Sequence, residues 1–144
     1  MSASDVPDQV PPIRPIAELF RSNSVALWAT TYNLDLDLFN EYLLGRLGDP
    51  PLNAVVIADR DRLDHALESV PPERTAKLIP VNTRWLLRGA QLGTGRFHPK
   101  SYLAVTARTI TLLVGSGNLS TGGLDNGREV FTAFRSGTPH GDSA

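Results

Sequence analysis

Two short runs in this 144-residue chain collect side chains able to handle a phosphate: His98-Pro99-Lys100 and Gly115-Ser116-Gly117-Asn118. An imidazole can serve as nucleophile or as general acid and base, and an ammonium neutralises developing negative charge. Ser116 and Asn118 add a hydroxyl and a side-chain amide, both hydrogen-bond donors. Gly115 and Gly117 let the backbone come close to a ligand, so they join the candidate substrate contacts.

The elements around these runs must bring them together. His98 and Lys100 lie two apart on a strand expected over residues 96–105, which puts both on one face. Pro99 donates no backbone hydrogen bond and suits a strand start or an irregular stretch better than a central ladder position. A second strand, over 109–114, would turn back at Ala107 and Arg108 and deliver the loop 115–123 beside His98 and Lys100. That loop fails as a dinucleotide fingerprint, because Ser120 stands where a third glycine belongs.

H98-P-K100 followed by G115-S116-G117-N118 resembles the phospholipase D superfamily signature, H-x-K and then G-S-x-N, and the order of expected elements is similar over about residues 20–135. The resemblance implies a phosphodiesterase that needs no metal or other cofactor. Two H-x-K motifs meet in such a site. One histidine attacks phosphorus to form a phosphohistidine, and the other protonates the leaving oxygen and then activates water. His98, Lys100, Ser116 and Asn118 would be the catalytic residues, and Glu129 would orient the catalytic histidine. The pattern departs from the family at Val105, where the full motif has an aspartate that many nuclease-like members lack, and the G-S-x-N run lies a few residues later than in the full motif.

Only one H-x-K is present, since His65 falls in an expected helix and His140 in the tail. A complete site then requires a homodimer with two His98 residues facing across a two-fold axis, or a second half outside this sequence. The resemblance favours an endonuclease acting on nucleic acid, DNA rather than RNA. A phospholipid phosphodiesterase is a second reading. A non-catalytic phosphate- or DNA-binding module, or a dimerisation module of a restriction- or defence-type protein, is a third.

Composition bounds these readings. Cysteine is absent, which excludes disulfides and thiolate metal sites and fits a cytoplasmic setting. No apolar run approaches the roughly 20 residues of a membrane span, and the first residues do not read as a signal peptide. Net charge is −1, but residues 1–79 carry −5 and residues 80–144 carry +4. An anionic ligand is therefore expected at the C-terminal half. Arg96 and Arg128 are the expected substrate contacts, with Arg84, Arg88 and Arg108 as further groove candidates. His65, His98 and the run Asp59, Asp61, Asp64 have no diagnostic metal spacing, and the aspartates read as a helix start. Trp28 and Trp85 read as core or rim packing.

The expected fold is an α/β domain over residues 16–136, a mixed sheet flanked by helices, between a proline-rich flexible lead-in (1–15) and a disordered tail (137–144). Strands are expected at 24–31, 53–58, 77–81, 96–105, 109–114 and 128–135. Helices are expected at 16–21, from an Asn33 cap to about residue 47, and at 61–69. Residues 83–92 read as turn and loop.

Overall fold

The computed structural model describes residues 19, 23–47, 53–123 and 129–137. The lead-in, the tail beyond residue 137, most of the helix expected at 16–21 and Arg128 lie outside the described residues.

Six strands form one sheet: β1 (Ser24–Thr31), β2 (Asn53–Asp59), β3 (Leu86–Ala90), β4 (Ser101–Thr106), β5 (Thr109–Gly115) and β6 (Phe131–Gly137). Their order is β3-β2-β1-β4-β5-β6. β1, β2 and β3 run parallel, and β4, β5 and β6 continue antiparallel beside β1. The mixed sheet expected from the sequence is therefore present. Its parallel strands are connected through helices: a π-helix (Leu38–Leu43) running into α1 (Leu44–Arg46), then α2 (Arg60–Glu68) and a 3-10 helix (Pro72–Leu78).

One face of the sheet holds the core. Leu27, Ala29, Val56, Ala58, Leu87, Tyr102, Ala104 and Leu113 point into it and meet Phe39, Leu43, Leu44, Leu63, Trp85 and Leu119. Alternation at period two sends the intervening residues to the other face. There Val55, Trp28, Leu103, Leu112 and Phe134 stand side by side across five strands, and Trp28 remains 60% exposed on the central strand β1.

Four sequence expectations change. Residues 77–81 are not a strand. Pro72 starts a 3-10 helix there, Pro80 cannot donate to a ladder, and Asn82 adopts a left-handed φ of 59°. The third parallel strand is instead β3, read as loop because Leu86-Leu87-Arg88-Gly89-Ala90 has no clear alternation. The helix after β1 is capped by Asp35 rather than Asn33, with Asp35 Oδ1 accepting from Leu38 N–H at 3.0 Å. Its π-helical stretch turns Phe39 and Leu43 into the core and leaves Tyr42 53% exposed. The strand expected from residue 96 begins only at Ser101, so His98-Pro99-Lys100 is an irregular lead into β4, as Pro99 suggested.

Candidate active site

The two runs meet beyond the carboxyl ends of β1 and β2, the usual place for sites in open α/β sheets. Four short segments build the site: Thr31-Tyr32-Asn33 leaving β1, Phe97 to Lys100 entering β4, Ser116 to Leu119 leaving β5, and Glu129-Val130 entering β6.

Asp59, at the end of β2 and only 3% exposed, holds the approach to His98. One carboxylate oxygen caps α2 through Arg62 N–H (3.3 Å), and the other accepts from Phe97 N–H (2.8 Å). A buried carboxylate needs such donors to offset its lost hydration. Lys100 is tied to β5 by its carbonyl, which accepts from Gly115 N–H at 3.1 Å. Its side chain is 6% exposed and turns back on its own segment. Nζ lies 2.6 Å from His98 Nδ1, 3.1 Å from Nε2 and 3.1 Å from the His98 carbonyl oxygen. An ammonium only donates, so Nδ1, the nearer nitrogen, accepts. Burial lowers the Lys100 ammonium from its ordinary value, opposed by the charges of Glu129 and Tyr32. Tyr32 completes this corner, its ring centre 4.5 Å from that of His98 and 5.6 Å from Lys100 Nζ.

The loop 116–119 is fixed from below. Tyr102 Oη donates to Gly117 C=O at 2.7 Å, and burial pushes this phenol well above its ordinary value. Leu119 N–H donates to Thr31 Oγ1 at 2.9 Å, and Leu119 C=O accepts from Asp35 N–H at 3.0 Å. Asn118 Oδ1 accepts from Asn33 N–H at 3.2 Å and lies 3.4 Å from Thr31 Oγ1. With its oxygen so engaged, and with no acceptor for its amide among the described residues, Asn118 can offer its N–H donors to a ligand.

Ser116 is placed differently. Its hydroxyl accepts from Val130 N–H at 3.0 Å and gives its proton to the Glu129 carboxylate. Glu129 therefore binds Ser116 and balances the charge of Lys100; among the described residues no hydrogen bond joins it to His98, the role expected from the sequence. The two glycines have a packing reason. A Cβ on Gly117 would lie 2.5 Å from Phe131 Cζ, and one on Gly115 would strike the Val130 carbonyl.

Of the arginines chosen from the sequence, Arg96 is committed to carboxylates, Asp61 and, at 3.8 Å, Asp59. Arg88 bonds Asn82 and the Leu87 carbonyl. Arg108 sits in the β4–β5 hairpin, a strand length away from His98. Trp85 is buried, with Nε1 donating to Asn40 at 2.9 Å, so the packing expectation holds for it; Trp28 lies on the open face. Tyr32, Thr31, Asn33 and Asp59 belong to the site but escaped sequence reading. The aspartate run was legible as a helix start, and Asp59 is indeed the cap of α2, but its burial and its bond to Phe97 were not. Among the described residues no three His, Cys, Asp or Glu side chains gather as a metal site, and no helix is long and apolar enough to cross a membrane.

No family model and no curated protein matches the chain. Among solved structures, the fold is similar to that of a mutant of yeast tyrosyl-DNA phosphodiesterase, with a TM-score of 0.54 and 13% identity. The match covers 74% of this chain and 24% of that protein, so the chain spans about a quarter of its structural neighbour's length.

Proposed function

We propose that this chain supplies one half of a phospholipase D-type phosphodiesterase site and acts as a metal-independent endonuclease. One observation carries the reading: a buried lysine, an exposed histidine and an amide whose donors meet no acceptor among the described residues come together from the two runs at the carboxyl ends of β1 and β2. Structural likeness to a phosphodiesterase that carries DNA in its name supports it at the level of fold.

In this reading a scissile phosphate draws the Lys100 ammonium away from the His98 ring. A nitrogen lone pair of one His98 then attacks phosphorus, forming a P–N bond as the P–O bond to the leaving group breaks. A second histidine protonates the departing oxygen, then takes a proton from water, which cleaves the P–N bond. Lys100 and Asn118 hold the phosphate oxygens, and Glu129 and Ser116 brace the loop. The second histidine comes from a second copy across a two-fold axis, or from a further half of a longer protein. DNA is the preferred substrate.

The test is cleavage of labelled single- and double-stranded DNA in excess EDTA by the wild type and His98→Ala. Loss of at least a hundredfold in rate in the variant is expected, in the range that positioned nucleophiles and general acids contribute. Equal cleavage by both proteins sinks the reading, and none by either sinks its homodimer form.

A further inference from the structure

Sequence alone selects Arg96 and Arg128 as cations beside the site; Arg128 lies outside the described residues, and Asp61 and Asp59 hold Arg96. A different guanidinium stands at the site without an ion-paired carboxylate among the described residues. Arg62 lies in the first turn of α2, exposed to solvent. Its Nε donates to Tyr32 Oη at 2.8 Å, and its Cζ lies 5.1 Å from the centre of the Tyr32 ring. The same ring touches His98, centre to centre at 4.5 Å. Arg62 Cζ is therefore within about 10 Å of the His98 ring centre.

This tether uses only Nε. The two η nitrogens keep their planar fork of N–H donors, a shape matched to phosphate oxygens. Among the described residues no carboxylate forms an ion pair with Arg62. Asp59, whose charge acts on Arg62, has its oxygens engaged by Arg62's own backbone N–H and by Phe97 N–H. Stacking on Tyr32 also restricts a side chain that would otherwise lose rotamer freedom on binding.

We infer that Arg62, held against Tyr32, is an anion subsite that grips a second phosphate of the strand whose scissile phosphate lies at His98 and Lys100. The substrate is then a polynucleotide rather than an isolated diester. Successive phosphates of one strand are spaced about 3.4 Å along a duplex axis, so the span from His98 to Arg62 fits a nearby phosphate of the same strand. This assignment rests on the phosphodiesterase reading of the His98 site.

The experiment compares the full chain with Arg62→Ala and Arg62→Lys. Binding of a fluorescein-labelled single strand of about twenty nucleotides is followed by anisotropy over a KCl series. Arg62→Ala should weaken binding roughly 5- to 20-fold and reduce the slope of log K against log salt by about 0.7, the value for one phosphate contact on a single strand. Arg62→Lys keeps the charge without the fork, and should restore the slope and part of the affinity. Wild-type affinity and slope in Arg62→Ala overturn the subsite. Hydrolysis of bis(p-nitrophenyl) phosphate, which has one phosphate, separates the two readings. Hydrolysis that survives His98→Ala refutes the phosphodiesterase reading, absent hydrolysis refutes its homodimer form, and in both cases the salt slope still decides Arg62. A drop in single-phosphate turnover in Arg62→Ala as large as the drop with the oligonucleotide puts Arg62 at the reacting phosphate and overturns the subsite.

Discussion

Thr31→Val tests how the site is held. Thr31 is fully buried at the end of β1. Its hydroxyl donates to Asn33 C=O (2.7 Å) and accepts from Leu119 N–H (2.9 Å), linking the first strand to the loop that presents Asn118. Valine matches threonine in shape, so the change creates no cavity and removes only the hydroxyl. Asn33 is exposed, and water replaces the lost donor to its carbonyl. Leu119 is 0% exposed, and no water reaches its N–H. The cost is thus that of one orphaned buried donor, about 1–3 kcal/mol. Urea unfolding followed by circular dichroism should show a loss of that size. Thr31→Ser keeps the hydroxyl and loses one buried methyl, about 0.8 kcal/mol on transfer. A Thr31→Val protein less than about 0.5 kcal/mol below wild type would mean that this bond does not hold the loop, a change inside the scatter of neutral substitutions.

Two further outcomes follow from the same geometry. Burial lowers the Lys100 ammonium from 10.5, so just below that value the unfolded chain binds more protons than the folded one. Stability contributed by Lys100 therefore rises with pH towards 10.5. Urea midpoints measured from neutral pH upwards should show wild type gaining on Lys100→Met, and parallel curves would contradict the burial. Gly117→Ala forces a methyl against Phe131, 2.5 Å from Cζ, and should cost about 1–3 kcal/mol in thermal or urea unfolding, the range for overpacking. Gly122→Ala meets no atom of the described residues within 4 Å and serves as the control; equal losses in the two variants would show that the close approach at Gly117 is unimportant.

Much of the fold was legible because its signals are local. The apolar runs at 24–31 and 53–58 read as strands, and the aspartates marked the start of α2. What misled was apolar sequence whose partner lies elsewhere. Leu78, Ile79 and Val81 look like a strand, but the place beside β2 is taken by β3, whose Leu87 packs into the core. A π-helical register could not be anticipated from spacing that assumes 3.6 residues per turn.

For the site, the chain itself determined its chemical identity. His98 with Lys100, and Ser116 with Asn118, are the groups from which the proposed phosphate site is built, and two strands of matched length deliver them to one end of the sheet. Which groups hold which was decided by tertiary structure. Thr31, Tyr32 and Asn33 are some 65 to 90 residues away from their partners in sequence, and only the pairing of β1 with β4 sets them beside His98 and Asn118. The same geometry turned Glu129 to Ser116, occupied Arg96 with Asp61, and left the Arg62 fork facing solvent. Hydrogen bonds and ion pairs depend on distance and burial, and neither is written in spacing along a chain.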